Sequence, residues 1–314
     1  MNLDFFAVLS NLISLFALIA VGYIAARSGV VKPEATAAFS ALLMKVTLPC
    51  TIFISLVQRE YDPAFIQDSL TIIFAGLVVF PAMTYIARYI AVILGVPKNC
   101  RGVWAFLCAF TNSGFMGFPI AYSLFGAEGL ALSVMLNIAF NMTIFTVGAL
   151  EISRDNPEHE GEGLNVKSII FSGINAATLL SLVFYFGGIK LPQTVATPIT
   201  MISGITTPLS MMIVGMTLEH SKASDILKDI HAWTCTAMRL FVFPIALCLL
   251  QKVLPISSNP LVGAVLVIVV AMPGASITVP LCETYHGNID FAAEAMFIQN
   301  ILCMLSIPVV CMML

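Results

Sequence analysis

Two long apolar stretches of the chain carry the same kind of interruption, TNSGFMGFP at residues 111–119 and AMPGASITVP at residues 271–280. Proline removes a backbone donor and clashes with the preceding helical turn, and glycine lowers the cost of non-helical backbone. Broken backbone at membrane depth survives only where it lines a cavity or is buried in protein. Each new helix N-terminus offers free N–H groups and partial positive charge to an anion. The two breaks therefore predict an anion site at mid-depth, and two merely kinked helices are the alternative.

The two interrupted segments supply most of the candidate site. The residues predicted to break the helices are Gly117, Pro119, Pro273 and Pro280. The candidate substrate-binding residues at the breaks are Asn112, Ser113, Gly114, Pro119, Pro273, Gly274 and Ser276.

The composition around these segments is that of an integral membrane protein. Of the 314 residues, 59% are hydrophobic and 10% are charged, and the mean hydropathy is +0.99. A soluble domain carries roughly 25% charged residues, so a two-domain soluble enzyme is excluded. The net charge of −3, with 14 Lys and Arg spread thinly, gives no basic face for nucleic acid. The apolar run from Phe5 to Ala25 is long enough to span a bilayer, and we interpret it as a retained first span.

A window of spanning length predicts an all-α protein with ten transmembrane helices. The predicted spans are 5–26, 33–58, 69–95, 101–125, 129–151, 167–187, 193–218, 226–253, 260–284 and 290–313. One polar stretch, SRDNPEHEGEGLN at residues 153–165, separates two halves. We therefore divide the single membrane domain into a first repeat at 5–151, a linker at 152–166 and a second repeat at 167–313.

The two halves also repeat one another in sequence. Matches at a separation of 159 positions pair Pro33, Pro49 and Glu60 with Pro192, Pro208 and Glu219. Further blocks match at separations of 163 and 161, and together they pair spans 2–5 with spans 7–10. Because five is an odd number of spans, the second copy must enter the membrane from the opposite side. This predicts the inverted-repeat architecture of secondary transporters, with the site at the matched breaks.

The distribution of basic residues predicts the orientation of the chain. With ten spans, nine Lys and Arg fall on one side and three on the other. Cytoplasmic loops carry the excess of basic residues. Both termini are therefore expected on the non-cytoplasmic side, and the three basic residues of that side are Arg59, Lys190 and Lys252.

Several of these features together resemble the auxin efflux carrier family, which includes the plant PIN-FORMED carriers and bacterial permeases for malate, malonate and similar carboxylates. The resemblance rests on the pattern from Asn112 to Pro119, on Leu48-Pro49, on the stretch from Arg239 to Pro244 and on Pro273-Gly274. It covers essentially the whole chain in span count, order and breaks. The chain differs from the plant carriers in its short central loop and in the absence of charge from residues 70–87.

The resemblance implies a fold like that of bile-acid transporters and sodium/proton antiporters. Spans 1, 2, 6 and 7 would form a scaffold panel, and spans 3–5 and 8–10 a transport core in which helices 4 and 9 cross at their breaks. The family's substrate-facing asparagine would be Asn112. The resemblance also suggests a homodimer through the scaffold panel and an elevator motion, and we expect the chain in the lipid bilayer of a bacterial cell membrane.

Two charges at mid-depth need partners, because a charge at the bilayer centre is costly. Arg239 lies in span 8 and Lys45 in span 2. For Arg239, attraction of an anionic substrate and pairing with the carbonyl ends of the broken helices stay open. Lys45 has the same two roles open, or it occupies the place where related folds hold a cation. Four amides complete the candidate site, with interhelical hydrogen bonding as the alternative role: Asn137, Asn141, Gln299 and Asn300.

The sequence therefore predicts a secondary transporter that moves a small organic anion by alternating access. The expected substrate is a carboxylate such as malate, malonate or an auxin-like acid, with no cofactor and no metal. Proton coupling, potential-driven uniport and exchange all stay open. An anion channel and a substrate sensor are the alternatives. An enzyme is excluded because all four histidines lie in loops or at span ends and no catalytic motif is present.

Overall fold

The computed structural model describes residues 5–154, 173–220 and 229–314. All regular elements of these residues are helices, and a single antiparallel bridge joins Thr111 to Gly274. The α-helices, in chain order, are α1 Phe5–Arg27, α2 Pro33–Leu42, α3 Leu48–Val57, α4 Pro63–Ile93, α5 Arg101–Ala109, α6 Phe118–Thr143, α7 Ala149–Ser153, α8 Gly173–Phe186, α9 Gln193–His220, α10 Ile230–Ala237, α11 Phe243–Val253, α12 Pro260–Val270, α13 Thr278–Thr284 and α14 Ile289–Met313.

Three π-helical turns connect helices that would otherwise be continuous, at Leu43–Thr47, Ile144–Gly148 and Met238–Val242, and a fourth, Ser113–Gly117, leads directly into α6. Three of these four turns end directly before a Leu-Pro or Phe-Pro pair, whose prolines are Pro49, Pro119 and Pro244. Proline cannot donate to the carbonyl four residues earlier. A wider turn lets the preceding N–H bond five residues back instead, as Phe243 N does to the carbonyl of Met238. The prolines therefore bend these spans without ending them.

The segment Ser113–Ser153 folds back on itself. Its 41 residues would extend about 60 Å as one straight helix, twice the thickness of a bilayer. Gly126, at φ +66° and ψ −157°, is not helical. Ser113 Oγ lies 3.0 Å from Asn137 Oδ1, although 24 residues of straight helix would hold them about 36 Å apart. Gly126 therefore marks a reversal between two antiparallel arms of α6.

Helices α1 and α9 pack with their backbones in contact. A Cβ added to Gly22 would overlap the carbonyl oxygen of Met212, and one added to Gly215 would overlap that of Ile19. Helix α3 packs against α8 and α9. Its Thr51 hydroxyl shares a 2.7 Å hydrogen bond with the Thr206 hydroxyl of α9. These helices form one packed group.

A second group packs around a buried aromatic cluster. Phe80 of α4 stacks on Phe110 with ring centroids 6.0 Å apart and meets Phe140 of α6 edge-on at 5.5 Å. Phe106 of α5 lies 4.8 Å from the ring of Phe110. Trp104, also in α5, is fully buried, and its indole N–H donates to the carbonyl of His231 on α10 at 3.1 Å. The cluster holds α5 firmly among its neighbours.

Seven helical segments of the described chain are long and apolar enough to cross a membrane: Ser10–Arg27, Glu34–Val57, Pro63–Ile93, Ser113–Ser153, Gln193–Glu219, Ile230–Val253 and Ile289–Met313. Two shorter apolar helices are Ala176–Phe186 and Pro260–Val270. The chain is thus a helical integral membrane protein.

Some predicted boundaries differ from the observed ones. Helix α4, which corresponds to predicted span 3, begins at Pro63, because the Asp62 side chain caps the N–H of Ala64 at 2.9 Å. Hydropathy alone placed the start of this span at residue 69. The starts predicted for spans 6 and 8, and most of the predicted linker, lie outside the described residues.

Candidate transport site

The two interrupted segments meet where their first halves end. Helix α5 ends at Ala109 and α12 at Val270. Asn112 N donates to the carbonyl of Pro273 at 2.8 Å, and Ala275 N donates to the carbonyl of Phe110 at 3.1 Å. These two bonds form a short antiparallel pairing between extended segments. We call this meeting of residues 110–112 and 271–277 the crossing.

The crossing brings two helix C-termini together. The last carbonyls of a helix have no partner within it and carry partial negative charge. Arg239 satisfies both ends: its Nε donates to Met272 O at 2.8 Å, and its Nη1 donates to Cys108 O at 3.0 Å and to Ala109 O at 3.3 Å. The side chain is completely buried, and its Nη2 has no hydrogen-bond partner among the residues that the structure describes. Of the two roles left open for Arg239, these contacts favour pairing with helix ends.

Two further side chains complete the hydrogen bonding of the crossing. Thr111 Oγ1 donates to the carbonyl of Val269 at 2.7 Å. Gln299 of α14 accepts from Gly274 N through Oε1 at 2.7 Å, and its Nε2 lies 3.5 Å from Cys235 Sγ. Both side chains are buried. Gln299, predicted as a site residue, therefore lies at the crossing and holds its backbone.

The second half of the first interrupted segment starts at a capped N-terminus. Asn112 Oδ1 accepts from Phe115 N at 3.1 Å, which is an N-cap contact. Ser113 bonds to Asn137 on the returning arm of α6. All three polar side chains are buried. A Cβ on Gly114 would lie 3.7 Å from Leu48 Cδ2, so this turn faces α3.

The remaining predicted residues lie at or away from the crossing as follows. Asn141 is half-buried one turn beyond Asn137, and Asn300 is half-buried beside Gln299 with a buried Oδ1 that has no partner. Ser276 lies within the crossing and is exposed. Lys45 is exposed in the π-helical turn of the second span. The structure does not bring Lys45 to the crossing.

The prediction that Gly117, Pro119 and Pro280 break the helices is wrong in position. Gly117 ends a π-helical turn, and Pro119 and Pro280 lie in the first turns of α6 and α13. The first turn of a helix tolerates proline because its N–H has no partner there in any case. Extended backbone lies at residues 110–112 and around Pro273. Pro119 and Pro280 thus belong to the start of each second half.

A cavity of about 780 Å³ is lined by the start of α6 at Phe118 and Pro119, and not by residues of the crossing itself. One wall comes from α1, α3 and α9 and the other from both arms of α6 around Gly126. Its polar lining consists mainly of hydroxyls and amides, including Thr51, Ser203 and Thr206. The cavity reaches Phe118 and Pro119, so the buried Asn112 lies deeper than its floor.

Sequence analysis missed most of this cavity. Arg59 lines it, although the sequence placed this residue among the loop charges. Thr51 and Thr206 lie two residues from Pro49 and Pro208, which the repeat pairs with one another. Those matched prolines in spans 2 and 7 were the available signal for the cavity wall.

Among the described residues, no group of three or more His, Cys, Asp or Glu side chains is placed to hold a metal ion. The described cysteines are free. Cys108 and Cys235 lie 3.7 Å apart, Sγ to Sγ, next to the crossing and are fully buried. They pack there as small apolar side chains.

The fold and the crossing define a helical membrane protein with a polar cavity between two packed groups of helices. A family model described as "Membrane transport protein" matches residues 7–311. The chain therefore belongs to this family of membrane transporters, the auxin efflux carrier family, as the sequence resemblance predicted.

Individual relatives agree with this assignment. The chain is 26% identical over 300 residues to an uncharacterized transporter of Methanothermobacter thermautotrophicus, covering 95% of each chain. It is 24% identical over 303 residues to an uncharacterized transporter of Methanocaldococcus jannaschii, covering 92% of this chain and 93% of the relative. The uncharacterized transporter YfdV of Escherichia coli K12 is 20% identical over 279 residues, 85% of each chain. Membership of a transporter family argues against an enzymatic role for the buried polar groups.

Proposed function

We propose that the protein is a secondary transporter that moves a small organic anion, a carboxylate such as malate or malonate, by alternating access. The observation that carries this proposal is the crossing of two broken helices, together with a polar cavity that reaches the start of α6 at Phe118. Discontinuous helices at mid-depth are where transporters of this architecture bind substrate. The bonds of Arg239 to two helix ends give the crossing a fixed geometry.

An inverted repeat of five and five spans is part of the proposal. The separation of 161 positions that relates spans 4 and 9 pairs Asn112 with Pro273. These two residues are also hydrogen-bonded to one another. Contact between equivalent residues is expected where a pseudo-twofold axis passes through the crossing. The geometry therefore supports ten spans, with spans 4 and 9 crossing at the axis.

The lining of the cavity supports an anionic, polar substrate. The lining residues in the described part of the chain include no Asp or Glu, and they carry several Ser and Thr hydroxyls and one Arg. A carboxylate finds donors along this lining, and the acidic side chain of Glu128 lies beside it, 3.3 Å from Arg59. One wall belongs to the proposed scaffold and the other to the proposed core, so movement of the core would change access to the bound substrate.

A carrier fits the cavity better than a channel does. The cavity ends at Phe118 and Pro119, and Asn112, Ser113 and Asn137 beyond it are buried. A channel needs a continuous polar path. Among the described residues, the burial of these polar side chains interrupts such a path between the cavity and the crossing.

The proposal is tested with purified protein in two steps. A thermal-shift screen with mono- and dicarboxylates should show stabilisation by at least one carboxylate, because a ligand that binds the folded state raises its stability. Flux of that carboxylate into liposomes, under imposed pH and voltage gradients, should saturate with concentration. Flux that does not saturate would indicate a channel, and binding without flux would indicate a sensor.

The proposed orientation is tested by cysteine labelling in intact cells and inverted vesicles. Ser28 follows α1, Lys190 follows α8, and both are exposed. With both termini on the non-cytoplasmic side, Ser28→Cys should react only from the cytoplasm and Lys190→Cys only from outside. The reverse pattern would overturn the orientation.

A further inference from the structure

The cavity contains one charged side chain among its described lining residues, Arg59. Arg59 follows α3, and its backbone N–H donates to the carbonyl of Leu56 at 3.1 Å. It also borders a small crevice with Lys190, so it lies at the cavity end that faces the same side of the membrane as Lys190. An anion that enters from that side meets this guanidinium first.

The contacts of Arg59 leave part of its guanidinium unused. Its Nη2 lies 3.3 Å from Glu128 Oε1, and its Cζ lies 3.9 Å from the centre of the Phe65 ring. Its Nε is buried and finds no hydrogen-bond partner in the described part of the chain. A guanidinium binds a carboxylate best through two parallel N–H groups. The single contact with Glu128 therefore uses only part of the hydrogen-bonding capacity of the Arg59 guanidinium.

Glu128 is a partner that a ligand can replace. It lies on α6, the helix that forms the opposite wall, two residues after Gly126, but does not itself line the cavity; its side chain is 51% exposed, against 20% for Arg59. Solvent-exposed ion pairs contribute little to stability, and a displaced Glu128 returns to water. Phe65 would hold the guanidinium in place during this exchange through the cation–π contact.

We propose that Arg59 binds the substrate carboxylate at the mouth of the cavity, in exchange for Glu128. This inference rests on the proposed transport of a carboxylate and names the residue that recognises its charge. Arg59 makes the site selective for anions, and the Arg59–Glu128 pair closes the mouth of the empty cavity between its two walls.

Binding of malonate, malate and acetate to purified variants tests this proposal. Arg59→Gln should weaken binding of the carboxylates that the wild type binds by about 10- to 100-fold, since hydrogen bonds to a charged group are lost. Arg59→Lys should restore part of the affinity. The preference for malonate over its neutral analogue malonamide should collapse in Arg59→Gln, which a merely structural role would not produce.

Glu128→Gln is the second variant, and it does not depend on the folding of the arginine variants. It removes the competing anion and should raise carboxylate affinity about two- to fivefold. Unchanged or lower affinity in Glu128→Gln would contradict the exchange.

Arg27→Gln is the matched control. Arg27 is also an arginine at a helix end, 3.6 Å from Glu219, but it is 72% exposed and does not line the cavity. Its loss should leave binding unchanged. If the wild type binds no carboxylate of the panel, both the proposed function and this inference fail. If the wild type binds and Arg59→Gln binds equally well, the inference alone fails.

Discussion

Arg239 at the crossing and Arg59 at the cavity have opposite surroundings. Arg239 is completely buried and donates three hydrogen bonds to carbonyls at the ends of two helices. Arg59 keeps a fifth of its side chain exposed and holds one half-exposed carboxylate with a single nitrogen. The first charge completes the fold, and the second is available to a ligand.

If Arg59 binds the substrate as proposed, depth in the membrane does not identify the charge that meets the substrate. A charge at mid-depth needs partners at all times, and the convergence of two helix C-termini supplies them to Arg239. A charge at the edge of a polar cavity retains contact with water and can exchange partners. The following variants test this difference, from the largest expected effect to the smallest.

Arg239→Gln should give the largest loss of stability. Without the guanidinium, buried carbonyls of Cys108, Ala109 and Met272 lose their donors, at a cost of about 3–5 kcal/mol. We expect a clear drop in the melting temperature of the purified protein. The fraction that still folds should bind malonate as the wild type does. Loss of malonate binding at an unchanged melting temperature would instead give Arg239 a substrate role through its free Nη2.

Asn112 allows its capping role to be separated from its proposed substrate role. Asn112→Ser keeps an oxygen that can cap the N–H of Phe115, whereas Asn112→Ala removes it at a cost of about 0.5–2 kcal/mol. Both variants lose the amide donor, so both should bind malonate about 10- to 100-fold more weakly. The melting temperature should fall only in Asn112→Ala.

The contradicting outcome for Asn112 is equally specific. If both variants keep the affinity of the wild type and only the melting temperature of Asn112→Ala changes, Asn112 is a helix cap and no more. The substrate would then be confined to the cavity above Phe118 and Pro119.

Lys45→Gln should have the smallest effect. Lys45 is exposed and does not line the cavity, and substitutions at exposed positions usually change stability by less than about 0.5 kcal/mol. Malonate affinity, measured by the same titration, should stay within about twofold of the wild-type value. A tenfold loss would restore Lys45 to the site and would show that a mid-depth charge attracts the substrate after all.

Composition and backbone chemistry determined the class of this protein from the sequence alone. The low content of charged residues requires a membrane as solvent, and the prolines and glycines at 111–119 and 271–280 mark where helices cannot continue. Both are local properties, since each apolar run or proline acts on its own segment wherever it folds. The transporter family and the place of the crossing could therefore be predicted.

The partners of the charges and the shape of the cavity were decided only by the tertiary structure. The bonds of Arg239 reach residues 33 and 131 positions away, and Arg59 meets Glu128 because the chain reverses at Gly126. Hydropathy gives the depth of a side chain but not its direction or its neighbours. Those depend on how distant helices pack, which is why the sequence counted Arg59 among the loop charges although it lines the cavity, and counted Lys45 as a site candidate although it does not.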